Sequence, residues 1–179
     1  ASNQDHRSRG PADGVQFTPF TDFRALGIIL QYYLWSGDPA ALARIKAHVL
    51  DWCAFNVPDG NSINETNFEW LLKAIIAVWA AFDPSERAVI AAWLNTLRTA
   101  KENYAFPSNA TRYGNHFTHH YKILLLCYRA LGDESAFQTA LAEKCDPHLL
   151  VNFPYGNPTV RVPDDMPRAA SDPGESIDF

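Results

Sequence analysis

The chain has 179 residues, 47% of them apolar and 13% aromatic, with 15 basic against 20 acidic residues for a formal net charge of −5. That length and apolar content suit one domain with a real core and exclude a chain disordered throughout. With no block of like charge, neither nucleic acid nor an anionic membrane surface has a footprint in the sequence. The longest apolar windows, 25–35 and 71–82, fall short of the roughly 20 residues needed to span a bilayer.

Residues 1–16 are polar, carry Pro11 and Gly14, and read as a flexible N-terminal arm. A helical domain is expected over 17–144. Its first helix starts at Thr18-Pro19, a capping residue followed by proline at the first helical position, and runs to Trp35. Ser36-Gly37-Asp38-Pro39 ends it and starts a second helix reaching Phe55, in which Leu42, Ile45, Leu50 and Trp52 alternate with Arg44, Lys46 and Asp51 in the manner of an amphipathic outer helix. After the turn-rich stretch Pro58-Asp59-Gly60-Asn61-Ser62, a third helix is predicted over 64–82, apolar nearly all round beyond Trp70. Asp83-Pro84-Ser85-Glu86 repeats the capping arrangement and opens a fourth helix to Asn103. A fifth spans Tyr113 to Leu131, and Gly132-Asp133-Glu134-Ser135 leads into a sixth ending near Lys144.

Asp38, Asp83 and Asp133 recur 45 and 50 residues apart, each after an apolar stretch and before a more mixed helix. Periods in this range mark arrays of helical hairpins, so the fold expected is all-α: three hairpins forming an arc of an α/α solenoid or toroid, an incomplete barrel. Trp35, Trp52, Trp79 and Trp93 read as core. Asn67 and Trp70, at the start of an inner helix, are placed to hydrogen-bond and stack a sugar, although aromatic residues there also serve packing. From Cys145 to Phe179 the pattern breaks: Pro147, Pro154, Pro158, Pro163, Pro167 and Pro173 leave no regular element evident, and the segment reads as an irregular lead into a further element.

Cys53, Cys127 and Cys145 fit no zinc spacing, and a Cys127–Cys145 or Cys53–Cys127 bridge is conceivable in an oxidising compartment. The start Ala1-Ser2-Asn3 has the look of a processed terminus, and the sequons Asn64-Glu65-Thr66 and Asn109-Ala110-Thr111 suit a secreted protein.

Chemistry concentrates in Thr111-Arg112-Tyr113-Gly114-Asn115-His116-Phe117-Thr118-His119-His120-Tyr121, which holds three of the six histidines next to an amide, two phenols and a guanidinium. The window lies at the start of the fifth helix, where side chains can face a cleft. His119 and His120 are adjacent, so only one of them is expected to line it. His116 and His120, four apart, would form at most half a metal site, and no metal or other cofactor is expected. His6, His48 and His148 read as surface or structural residues.

The pattern Gly114-Asn115-His116, on an inner helix of an α/α repeat and followed by an apolar run and Gly132-Asp133, resembles the Asn-His motif of alginate lyases and related polyuronate lyases with an α/α toroid fold. The resemblance covers about residues 60–179. It implies β-elimination on a 4-linked uronic-acid polymer such as alginate or glucuronan, with Asn115 neutralising the substrate carboxylate and His116 removing the proton at C5. A neutral imidazole suits that second task. The family's paired arginine and tyrosine are expected in a later helix, so the chain is expected to be one portion of a longer lyase, with a second fragment of the same protein as a companion. Arg112, Tyr113, His119, His120 and Tyr121 are the further candidates for substrate binding. An acidic polysaccharide is the partner implied, and the location secreted or periplasmic. The alternatives are a glycoside hydrolase on the same scaffold, with Glu65, Glu69, Asp164 and Asp165 as candidate carboxylates, and a non-catalytic helical-repeat binding scaffold.

Overall fold

The computed structural model describes residues 18–62, 65–106 and 115–146. The helices are α1 (Thr18–Ser36), α2 (Pro39–Phe55), α3 (Phe68–Val78), α4 (Pro84–Glu102), α5 (Asn115–Leu131) and α6 (Glu134–Ala140), with a 3-10 turn at Trp79–Ala81 and a π turn at Leu141–Cys145. Among the described residues there is no strand, and no helix is long and apolar enough to cross a membrane. The all-α expectation is met.

Each of the three recurring aspartates caps a helix. Asp38 Oδ1 accepts from the Ala40 amide at 2.8 Å and Asp133 Oδ1 from the Ala136 amide at 3.0 Å. Asp83 and Glu86 form the reciprocal capping box: Asp83 Oδ1 accepts from the Glu86 amide at 2.9 Å, and Glu86 Oε2 accepts from the Asp83 amide at 2.8 Å. Before two of these caps a glycine takes the left-handed conformation that ends a helix sharply, Gly37 at φ +68° and Gly132 at φ +72°. In the middle hairpin the equivalent residue is Phe82, which is buried and cannot enter that region cheaply. There α3 relaxes through the 3-10 turn, and Phe82 leaves it extended.

The helices form two rows. α1, α3 and α5 pack side by side, α2 lies against α4 behind them, and α6 packs on α5. Between the rows sit Phe23, Leu26, Ile45, Val49, Leu71, Leu72, Ile75, Ile90, Leu94, Leu97 and Ile123, all buried. An aromatic cluster runs through the centre, with Phe23 to Trp52 at 4.6 Å and Phe68 to Trp93 at 5.5 Å between ring centroids. The Trp93 indole N–H donates to the buried Asn56 Oδ1 at 3.0 Å, so this polar pair costs little in the core.

Several expectations need correction. The third helix begins at Phe68 rather than residue 64, because Glu65 turns inward and its carboxylate accepts backbone amides of the preceding turn. The sixth is regular only to Ala140 and ends in the π turn. Trp52 and Trp93 are core and Trp79 is partly buried, but Trp35, at the end of α1 beyond its last buried residue Leu30, is 86% exposed. All three cysteines are free thiols, and the Cys127 thiol donates to the Leu94 carbonyl at 3.3 Å inside the core. Burial pushes the Cys127 thiol up to about 12, so it is an inert packing group. The arm at 1–16, the sequon residues Asn64 and Asn109 and nearly all of 145–179 lie outside the described residues.

One contact fixes how closely α1 approaches α3. A Cβ at Gly27 would lie 2.8 Å from the six-membered ring of Trp70. Gly27→Val should therefore lower stability by about 2 kcal/mol, the cost of overpacking outweighing the small gain in helix propensity. Urea unfolding measures it, and an unchanged midpoint would show that the indole can swing aside.

Candidate active site

The site is built from the start of α5, the start of α3 and the turn residues 59–62 and 65–67. This turn is held from within. Glu65 Oε1 accepts from the amides of Asp59 at 2.8 Å and Gly60 at 3.1 Å, while Glu65 Oε2 meets Lys101 Nζ at 2.9 Å. The Lys101 ammonium also donates to the carbonyls of Gly60 at 3.1 Å and Asn61 at 3.3 Å, so its three protons have three acceptors. Both side chains are fully buried. Gly60 has φ +80°, and a Cβ there would lie 2.4 Å from the Ala100 carbonyl oxygen, so only glycine fits. Burial lowers the Lys101 ammonium below its ordinary range, and the Glu65 carboxylate opposes that shift.

On this turn stands Ser62, itself fully buried, with Oγ 3.1 Å from His116 Nδ1 across 54 residues of sequence. His116 is half-buried on the first turn of α5. A charged strip is shared by α3 and α5. Glu69 is bound by Lys73 and, at 2.8 Å, by Lys122. Lys73 Nζ also lies 4.7 Å from the centroid of the Trp70 ring, which it shares with Gly27 on α1. Burial raises the Glu69 carboxyl, but the hydrogen bonds and charges of Lys122 and Lys73 outweigh it, and the group stays below the usual carboxylate range. His119 is half-buried and held below the ordinary imidazole range, first by burial and then by Lys122 and His116.

His120 and Tyr121 belong to a separate cleft of about 530 Å³ between α5, α6 and the end of α4, bordered by Tyr104, Phe106, Tyr128 and Glu102 and by neither His116 nor His119. His120 is 3% exposed, stacks on Tyr104 at 5.6 Å, and has no hydrogen-bond partner for Nδ1 among the described residues. Burial, with Lys101 adding to it, drives its pKa down to about 3. The Tyr128 hydroxyl donates to Glu102 at 3.0 Å; burial and that carboxylate raise its pKa, so the phenol stays protonated.

Of the two adjacent histidines only His120 borders this cleft, while His119 feels the charges of Lys122 and Glu69. Asn67 precedes α3 without capping it through its side chain. Arg112, Tyr113 and the side chain of Asn115 lie outside the described residues, as do Asp164 and Asp165. Glu65, a candidate hydrolase carboxylate, is engaged by the turn and Lys101, and Glu69 by two lysines. Among the described residues no three histidine, cysteine or carboxylate side chains converge where a metal ion would sit. Sequence reasoning missed Ser62, Lys101, Lys73 and Lys122. Only the Glu69–Lys73 pair, four apart on one helix, left a local signal.

Fold and site together define an all-α protein of packed helical hairpins with a serine-held histidine at the start of α5 and a lysine-bound glutamate shared by α3 and α5. Comparison with family models, curated proteins and solved structures finds no match to the chain.

Proposed function

We propose that the chain is a polysaccharide lyase, or a portion of one, that cleaves a 4-linked uronic-acid polymer such as alginate or glucuronan on an arc of an α/α toroid. The observation that carries the reading is His116, anchored through Nδ1 at 3.1 Å at the start of α5, the helix that also brings Lys122 to Glu69 of α3. A uronate carboxylate acidifies its neighbouring C–H only when its own charge is neutralised, and the one net positive charge that Lys73 and Lys122 keep over Glu69, with the Asn115 amide, is the source proposed for that. His116 then takes the C5 proton through its other nitrogen. The electron pair forms the C4–C5 double bond, the C4–O4 bond breaks, and O4 leaves with a proton from an acid. Arg112 and Tyr113, preceding the same helix, are candidates to hold substrate, as are Asn67 and Trp70. A secreted or periplasmic location suits the reading, because a polymer of this kind does not cross a membrane.

The test is incubation with polyuronates while following the ultraviolet absorbance of the unsaturated product. His116→Ala and Asn115→Ala should each reduce the rate by about 10²–10⁴-fold with the helical circular dichroism unchanged. Wild-type activity in either variant sinks the assignment. New reducing ends without the absorbance would indicate a hydrolase, and neither signal a binding scaffold.

A further inference from the structure

We infer that Ser62 is the positioning residue for His116, accepting a hydrogen bond from Nδ1–H so that Nε2 carries the free lone pair, and that the buried Glu65–Lys101 pair serves to hold Ser62 in place. The inference rests on the reading of His116 as a base, and it adds the part of the machinery that a short motif on α5 does not contain. An imidazole has two nitrogens, and the bond made by one decides the state of the other. At 3.1 Å the Ser62 hydroxyl can engage only Nδ1, leaving Nε2 to the substrate. A base must present a bare nitrogen, so Nδ1 must hold the proton and Ser62 must accept it.

Ser62 can do this only if its backbone is fixed, and a loop would ordinarily move. Here the loop is fastened at five points. Two amides, of Asp59 and Gly60, end on Glu65; two carbonyls, of Gly60 and Asn61, end on Lys101; and Asp59 Oδ1 accepts from the Asn61 amide at 2.8 Å. Gly60 lets the chain lie flat against Ala100 on α4. Burying an ion pair is a poor route to stability, because both charges give up their water. Its yield in this fold is geometric: it ties the turn carrying Ser62 to α4, which also packs on α5.

The experiment is nitrogen–proton correlation spectroscopy of the imidazole side chains in the full chain, at a pH where His116 is neutral, together with kinetics on a polyuronate. Wild type should show His116 in the Nδ1–H form. Ser62→Ala, which removes only a hydroxyl, should shift it toward the Nε2–H form and lower kcat about tenfold, the worth of one hydrogen bond, with KM unchanged. Glu65→Gln/Lys101→Met should give a mixed population with Ser62 intact. An Nε2–H wild type overturns the inference, as does a tautomer unmoved by Ser62→Ala. A double variant that keeps the wild-type spectrum overturns the role of the ion pair. If the spectra behave as described but wild type cleaves no polyuronate, the lyase reading fails and the positioning of His116 stands.

Discussion

Lys101→Met should lower stability by roughly 3–5 kcal/mol, more than any surface substitution in the chain. The ammonium lies at zero exposure, and its removal takes a bond from three groups at once: the buried Glu65 carboxylate and the Gly60 and Asn61 carbonyls each lose the contact with Lys101. The pair is not stabilising merely because breaking it is costly. Burial already lowers the Lys101 pKa against the pull of Glu65, so the folded state carries part of the ammonium's lost hydration. The double variant Glu65→Gln/Lys101→Met should therefore recover more than half of the loss. Glutamine keeps an oxygen for the Asp59 and Gly60 amides, and no charge remains buried. Urea unfolding of the three proteins decides the matter. A double variant as unstable as Lys101→Met would show that the charges themselves hold the turn.

What the sequence showed and what it hid divide along physical lines. Caps are local: an aspartate followed by proline or glutamate states its role within four residues, so Asp38, Asp83 and Asp133 located the hairpins, and the two rows of helices followed from the apolar character between them. α3 started late because Glu65 reads as an ordinary first-turn acid, and nothing local announces that it turns inward to meet a lysine 36 residues further on. Trp35 was misplaced because aromatic size favours burial, whereas whether the last turn of α1 is covered depends on which neighbours reach it. At the site, His116 was legible as one of a dense cluster. Ser62 was not, since a serine in a turn is commonplace and its partner lies 54 residues away. Lys122 looked like the polar start of an apolar run, and only the packing of α3 on α5 brings it to Glu69.

His120 should make the fold sensitive to acid. Its folded pKa is about 3 against an ordinary value of 6.5, so below 6.5 the unfolded chain takes up a proton that the folded chain refuses. The contribution is fully present above pH 6.5 and is lost as pH falls toward 3, at up to about 1.4 kcal/mol per pH unit. Over the whole window this amounts to roughly 3–5 kcal/mol from one side chain. The cause is visible in its surroundings: Tyr104 stacks on the ring, Phe106 meets it edge-on at 5.2 Å, Lys101 repels the charged form, and among the described residues Nδ1 has no partner to share a proton with. His120→Leu removes the titration and the unpartnered nitrogen together. The difference in unfolding free energy between wild type and this variant isolates the histidine, because the carboxylates that also titrate there cancel. That difference should change with pH in the direction given, wild type losing ground steadily below pH 6.5. A difference that stays flat from neutral pH to about pH 4 would mean that the imidazole is protonated in the folded protein, with Tyr104 and the cleft rearranged to admit water.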